Sequence, residues 1–340
     1  MTLLAIETSC DETSVAVIRD GHVLSNVVSS QTELHAEYGG VVPELATREH
    51  LRNFLPLAHE ALHLAKVMAS DLEAVAGTRG PGLPNALMVG LKAAQAVAFA
   101  LRKPFLGIHH HEAHLYSPWI AGQPPRADFA EFQPNVSLIV SGGHTMLIHV
   151  EAELQHRVLG STLDDAAGEC FDKVAKLIGC PYPGGPQIDR LAAKGNPEAY
   201  NFPRPLLREL NDDFSFAGLK TSVRYFLNKN PELLENRQRV SDLCASVQAA
   251  IVEVLVAKTI RAARRCGVKC ITASGGVTCN SALRKELTAA SEREGFSLRL
   301  TEKSLCTDNA AIIGILAERK LLKGETSTPL DAEISPSWSL

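Results

Sequence analysis

Residues 109–114 read HHHEAH, four imidazoles and one carboxylate in six positions of a chain with 12 histidines in all. His110 and His114 are spaced i, i+4, which on a helix puts both rings on one face, close enough to share a metal ion. The same spacing underlies HExxH, but that motif needs Glu directly after the first ligand. Here the order is His110-His111-Glu112-Ala113-His114, and starting from His111 leaves the pair one residue short, so a metalloprotease reading is poor. Two histidines leave a site unfinished; a carboxylate would complete a 2-His-1-carboxylate set with open positions. Asp308, in SLCTDNAAIIG (304–314), stands where a strand ends and an apolar helix begins. The plainer readings are a solvated His-rich turn and a carboxylate held at a helix N-terminus by the dipole. The concentration of histidine in one short stretch favours metal.

The second group of candidates lies in loops. The apolar run LLAI (3–6) reads as a buried strand ending in ETSCDET (7–13). Asp11 and Glu12 in that loop are candidate proton acceptors, against an even alternative of two solvated carboxylates. Cys10 has no histidine nearby in sequence to activate it. VSLIVSGGHTMLIHV (136–150) repeats the opening design of strand, small polar loop, strand, and a third segment, VKCITASGGVTCNSALRKEL (268–287), reads as strand, Gly-Gly turn and helix. Hairpin loops supply backbone N–H groups to an anion and a helix N-terminus adds partial positive charge. Each Gly-Gly alone is more often a tight turn. Together they predict an α/β chain of two duplicated ribonuclease-H-like halves, the plan of the actin, hexokinase and Hsp70 superfamily, with a nucleotide cleft between lobes that ETSCDET and VSGGHT both face.

The elements that must position these groups follow from pattern. SVAVI and HVLSNVV joined by Asp-Gly make a hairpin, so the chain opens with three strands. A helix is expected over about 45–67, a strand at 73–78, a long apolar helix over 86–102 capped by Asn85, and a strand FLGIHH running into the histidines. The Pro- and Gln-containing stretch 123–134 marks the lobe boundary. The expected lobes are 1–125 and 126–340, the second with a helical insertion near 165–260, and the final helix packing back on the first. Ser241 is the expected cap of the long helix that Gly267 ends.

With 340 residues, 45% hydrophobic and 21% charged, the chain is long enough for two cores and is not disordered. A net charge of −4 gives no global electrostatic footprint for nucleic acid. Local basic groups, RAARR (261–265) with Lys269, RPLLR (204–208) and Arg284-Lys285, are candidate phosphate contacts, though such runs are more often solvated helix faces. The eight cysteines lack any CxxC and read as reduced thiols. The N-terminus lacks the basic region of a signal peptide, and no stretch of about 18 uncharged apolar residues suggests a membrane span; the expectation is a cytoplasmic protein.

Nine motifs occur in order: IETSCDET (6–13), HAEYGGVVPELATREH (35–50), GPGL (80–83), HHHEAH (109–114), VSGGHT (140–145), DDAAGECFDKVAKLIGCPYPGGP (164–186), FSFAGLKT (214–221), SGGVTCN (274–280) and CTDN (306–309). Over nearly its full length the chain resembles the bacterial TsaD-type tRNA N6-adenosine threonylcarbamoyltransferases, once annotated glycoproteases. The resemblance implies the two-lobed actin-like fold. It also implies transfer of a threonylcarbamoyl group from threonylcarbamoyl-AMP to N6 of adenosine 37, beside the anticodon, in tRNAs reading codons that begin with adenine. By the same resemblance His110, His114 and Asp308 hold one divalent metal, Fe2+ before Zn2+ or Mg2+. Ile139, Val140, Ser141, Gly142, Gly143, Asp172, Gly185, Asp189 and Asn280 take substrate-binding positions. The implied partners are tRNA, a TsaB-like paralogue and a TsaE-like ATPase. The chain departs from the family pattern at His111, Ala113, Ala217 and Cys279, where Met, Gly, Ser and Ala are usual; His111 leaves two adjacent histidines competing for one ligand position. The rival functions are a metal-dependent carbamoyltransferase acting on a small molecule, and an ATPase or kinase of the same superfold.

Overall fold

The computed structural model describes all residues, Met1–Leu340. In chain order the elements are β1 (Thr2–Glu7), β2 (Glu12–Arg19), β3 (His22–Ser30), α1 (Thr32–Ala36), α2 (Pro43–Ala65), β4 (Ala74–Gly80), α3 (Pro84–Leu101), β5 (Phe105–His109), α4 (His110–Tyr116), β6 (Ile120–Ala121), β7 (Arg126–Ala127), β8 (Asn135–Val140), β9 (Thr145–Ala152), β10 (Gln155–Ser161), α5 (Ala167–Leu177), α6 (Gly184–Ala192), α7 (Ala217–Lys229), α8 (Arg237–Cys266), β11 (Cys270–Ser274), α9 (Ser281–Glu294), β12 (Ser297–Leu300) and α10 (Ala310–Leu322). They fall into two compact units. The first is Met1–Phe132 together with Thr307–Leu340, and the second is Gln133–Cys306. The second unit thus closes at Cys306, and the C-terminal segment with α10 belongs to the first.

In the first unit the sheet order is β5-β4-β1-β2-β3-β7-β6. The strands β1, β2 and β3 run antiparallel, with β2 joined to β3 by the Asp20-Gly21 turn, whose residues both have positive φ. The strands β4 and β5 then add in parallel to β1. Every residue of β1 is buried, which requires cover on both faces. Successive side chains of a strand point to opposite faces. Leu4, Val15 and Val17 accordingly pack with Leu57, Ala58 and Ala61 of α2. Their neighbours Ala5 and Ile18 lie under Gly314 of α10, where an added Cβ would come within 3.0 Å of Ala5 Cβ and 2.5 Å of Ile18. Ile6 and Val75 pack with Leu91, Ala94 and Ala98 of α3.

The second unit repeats the order. Its sheet runs β10-β9-β8-β11-β12, with β8, β9 and β10 antiparallel and β11 and β12 parallel to β8. Apart from the short strands β7 and β6 that extend the first sheet beyond β3, each unit has the order third-second-first-fourth-fifth strand, which is the ribonuclease-H-like order, present twice. Helices α5–α8 occupy the segment expected to be helical, and α8 runs through the second core, where Leu243, Val247, Ile251, Val254 and Leu255 are buried with sheet residues Val136, Leu138 and Ile271.

Three local expectations change. Helix α8 starts at Arg237, capped by Asn236, whose side chain accepts from Gln238 N and Arg239 N; Ser241 lies inside the helix, while Gly267 ends it in the left-handed region as expected. Helix α3 begins at Pro84, so Asn85 is already helical and no side chain caps that end. Proline at the first position supplies the preset φ and lacks the one N–H that would stand unpaired there. Finally, α3 and α8 are each long and apolar enough to cross a membrane by length and mean hydropathy. Both nevertheless carry charges, Lys92 in α3 and Glu253 and Lys258 in α8, and each is packed into the core of its own unit.

Candidate functional site

The first unit assembles the histidine site from its strand ends. β5 delivers the chain into α4, so His110 and His114 sit on one helical face with ring centroids 4.9 Å apart, edge to face. Asp308 lies just before α10, which is capped by Asn309 through Ile312 N, so the aspartate is not spent on capping. Its Oδ1 stands 3.3 Å from His110 Nε2 and 3.3 Å from His114 Nε2. One ligand atom from each of the three lies within 4.8 Å of the others. Behind His110, at the end of β1, Glu7 is fully buried; its Oε2 is 3.0 Å from His110 Nδ1 and accepts Thr78 Oγ1 at 2.6 Å, while Oε1 accepts Ser9 N. A carboxylate on one ring nitrogen fixes the tautomer and leaves the other to a metal. His114 Nδ1 is buried and has no partner.

The electrostatics ask for a cation. Burial alone would lower the His110 pKa, but the charges of Asp308 and Glu7 raise it well above the usual histidine value. Burial would raise Glu7 and Asp308, yet the His110 charge outweighs it and holds both below the carboxylate range, Asp308 far below. A proton on His110 and a metal ion on its Nε2 are thus alternative ways to neutralise the same two carboxylates. The donor set, two imidazole nitrogens and one carboxylate oxygen, fits a borderline divalent ion and leaves positions open.

The β1–β2 turn borders this site. Ser9 Oγ is 3.3 Å from His110 Nδ1. The turn is pinned by Gln31 N donating to Asp11 O at 3.0 Å and by His50 Nε2 donating to Cys10 O at 3.0 Å. Burial, then the charges of Asp11 and Asp308, raise the Glu12 pKa well above its usual value. Burial likewise pushes the Cys10 thiol up, which argues against a thiolate nucleophile there.

The second unit brings together its own group of loops. Ile139 and Val140 end β8, and the turn that follows is closed by Ser141 N to His144 O at 2.8 Å and His144 N to Ser141 Oγ at 3.1 Å. Gly142 and Gly143 are open, with nothing within 4 Å of an added Cβ. Gly168, in the first turn of α5, and Gly275, after β11, press on the same place: a Cβ on Gly168 would lie 2.4 Å from Ser141 O, and one on Gly275 2.4 Å from Val140 O. Asp172 Oδ1 accepts Gly184 N at 2.7 Å and Gly185 N at 3.2 Å at the start of α6. Asp189, on α6, accepts Ser281 Oγ at 2.7 Å and Ser281 N at 3.1 Å. Asn280 caps α9 through Leu283 N at 2.9 Å and donates to Gln248 at 2.7 Å. All nine positions therefore belong to one unit, and three of their polar side chains organise the N-termini of α6 and α9.

The profile of the family described as tRNA N6-adenosine threonylcarbamoyltransferase, TsaD, matches residues 22–315. The chain belongs to the TsaD family. The proteins of that name from Geotalea uraniireducens (strain Rf4) and Salinibacter ruber are 49% and 48% identical to it, each over 100% of this chain and over 97% and 100% of their own lengths. Among solved structures, HypF of T. kodakarensis aligns over 96% of this chain and 48% of its own, with a TM-score of 0.61 at 16% identity. Component A of the Acidaminococcus fermentans (R)-2-hydroxyglutaryl-CoA dehydratase aligns over 95% and 99%, with a TM-score of 0.54 at 15% identity. These two likenesses speak for the fold alone.

Within this TsaD-family chain each residue of HHHEAH has its own place. His110, not His111, meets His114 and Asp308, so the competition between adjacent histidines is decided by helix phase. His111 packs its ring on His109 and His110. Glu112 pairs in the interior with Lys320 of α10 at 3.1 Å, tying α4 to the helix that follows Asp308. Sequence alone gives Glu7 no part; its one signal there is a carboxylate that ends a run of apolar strand residues. The basic groups fare differently. Arg265 is paired with Asp212, Arg264 with Glu294 and Arg204 with Glu253, while Arg261 donates to Asn211 O and Arg284 to Thr278 O and Thr301 O. These arginines brace their own unit.

The charge pattern sets a pH dependence. His110, with its pKa raised, stabilises the metal-free fold fully below the ordinary histidine value of about 6.5, and that contribution is lost as pH rises through the folded value. Glu7 and Asp308, lowered, contribute above ordinary carboxylate values and lose it as pH falls through their depressed ones. Metal uptake must displace the His110 proton. Divalent metal affinity will therefore climb with pH up to the raised His110 value and level off above it, with proton release seen as a buffer-dependent heat in calorimetry. A flat pH profile with no released proton would show that His110 is not a ligand.

Proposed function

We propose that this chain transfers a threonylcarbamoyl group from threonylcarbamoyl-AMP to N6 of adenosine 37 in tRNAs reading codons that begin with adenine, in the cytoplasm, alongside a TsaB-like paralogue and a TsaE-like ATPase. The observation that carries the reading, beside family membership, is the convergence of His110 Nε2 and His114 Nε2 on Asp308 Oδ1 with Glu7 braced behind. His110, His114 and Asp308 would hold one divalent metal, with Fe2+ preferred over Zn2+ or Mg2+ by the resemblance; when bound, it supplies a Lewis acid that polarises the donor's carbonyl.

Adenine N6 is a poor nucleophile because its lone pair is delocalised into the ring. The donor is a mixed carbamic–phosphoric anhydride, already activated. N6 forms a bond to the carbamoyl carbon, the bond from that carbon to the phosphate oxygen breaks, AMP leaves, and N6 gives up a proton. The protein must position the partners, stabilise charge and accept that proton. Of Asp11 and Glu12 we take Glu12 as the acceptor, because burial raises its pKa and with it its basicity near neutral working pH. Gly142 and Gly143, where an added Cβ would meet nothing within 4 Å, would let the adenylate approach their backbone amides, and Asp172, Gly185, Asp189 and Asn280, which order helix starts in the same unit, would complete its site.

Nucleoside mass spectrometry of tRNA from a strain depleted of the protein is the test. Threonylcarbamoyladenosine should fall on depletion and return with the wild-type gene. An unchanged level would end this reading and favour transfer to a small molecule.

A further inference from the structure

The C-terminal segment of the first unit is stitched to the strand and loop that carry the histidine site. β5 is an edge strand of its sheet. Thr328 covers it, with Thr328 N donating to Phe105 O at 2.7 Å and its Oγ1 accepting Gly107 N at 3.0 Å. Gln95 Nε2 donates to Ala332 O at 2.8 Å, Arg79 Nε to Glu333 O at 2.7 Å, Ser335 N to Arg79 O at 2.8 Å, and Gly82 N to Pro336 O at 3.1 Å. The segment ends its course on His109. Trp338 O accepts from His109 Nε2 at 3.2 Å, and the two rings lie 4.8 Å apart; the Arg79 guanidinium stands 5.2 Å from the indole on its own account.

His109 is the hinge between this segment and the metal-ligand helix. Its Nδ1 accepts from Glu112 N at 3.3 Å and so caps α4, the seven-residue helix that carries His110 and His114. One ring therefore does two things with its two nitrogens. Donation from Nε2–H to the Trp338 carbonyl fixes the tautomer in which Nδ1 has a lone pair, and that lone pair is what the helix start needs. A helix of two turns has little cooperativity of its own, so its phase depends on such end contacts.

We propose that Trp338 is a positioning residue for the metal site: the docked C-terminal segment, acting through His109, holds α4 in the phase that aims both Nε2 atoms at Asp308. The inference rests on reading His110, His114 and Asp308 as metal ligands. Trp338 makes its ring and carbonyl contacts with His109 and Arg79 and is only partly buried, and it belongs to neither of the first unit's core clusters, which are built from β1, β2, β4, β5, α2 and α3.

The test titrates Co2+ into the full-length metal-free protein and reads both the dissociation constant and the visible d–d absorption. Trp338→Ala should weaken Co2+ binding by about 10-fold or more, as for other supporting partners of metal ligands, and should alter the band. Trp338→Phe, which keeps a ring on His109 and the same backbone carbonyl, should restore affinity and spectrum. Lys92→Ala, which removes only the distant contact with Glu333, should change neither. The melting temperature of each metal-free protein is recorded alongside; should Trp338→Ala melt early, Trp338→Leu replaces it in the comparison with Trp338→Phe. Wild-type affinity and spectrum in Trp338→Ala, or in Trp338→Leu in its place, would overturn the positioning role. A wild-type chain that binds no Co2+ would overturn the metal reading beneath it.

Discussion

Asp308→Ala is expected to leave the chain folded and metal-free. The two histidines alone cannot complete the set, and Asp308 Oδ1 is the one oxygen that both Nε2 atoms approach. Folding survives because Glu7 still accepts the His110 proton, so the imidazolium is not stranded in the interior. The loss should appear as sub-stoichiometric metal by elemental analysis after purification and dialysis. Transfer of threonylcarbamoyl to tRNA should drop by at least about 100-fold, the scale seen when one group stabilising developing charge is removed. His110→Ala and His114→Ala should behave alike in metal content. Full metal occupancy in Asp308→Ala would take the aspartate out of the ligand set and return it to the simpler part of a helix-start carboxylate.

The second large effect belongs to Glu12. Glu12→Gln keeps the shape of the side chain and removes its basicity, so it separates proton transfer from packing. Single-turnover transfer from synthetic threonylcarbamoyl-AMP should slow by about 10²–10⁴-fold, the usual cost of losing a general base, while metal content stays unchanged. The raised pKa of Glu12 also fixes the sign of the pH profile: the wild-type rate should increase as pH rises through it, and that limb should vanish in the variant. A bound cation would offset the Asp308 charge that helps to raise Glu12, so the limb should lie lower in metal-loaded than in metal-depleted protein. Asp11→Asn should be milder. Near-wild-type turnover in both amide variants would sink the general-base assignment and leave the proton to water or to the departing phosphate.

Much of this was legible in sequence because the signals were local. The i, i+4 histidines keep their helical phase, the Asp-Gly hairpin turns where it should, and the two strand-loop-strand segments open two sheets of the same order. What could not be read is what depends on contacts between distant segments. Nothing near Glu7 in the chain announces His110, which is 103 residues away. The cap on α8 moved from Ser241 to Asn236 because a short 3-10 turn, Pro231–Glu235, precedes the helix and fixes where it begins. Three arginines of the basic runs, Arg265, Arg204 and Arg264, each meet an acidic partner far off in sequence, Asp212, Glu253 and Glu294. His109 carries no signal of its own in the sequence, and its work is visible only with Trp338 and Glu112 placed beside it.

The proposed ligand set is split across the chain in a way that matters while the protein is being made. His114 and Asp308 are 194 residues apart. At about 5–20 residues per second of synthesis, roughly 10–40 s pass between the emergence of the histidine pair and the arrival of the aspartate. During that interval the whole second unit, Gln133–Cys306, is translated and free to fold, while α10 and the site it completes do not yet exist. A nascent or prematurely terminated chain therefore displays two histidines without their carboxylate and can hold a metal only weakly. If these three residues hold the ion as proposed, its loading would wait until Asp308 has been made, and a bound metal would certify that translation had reached it.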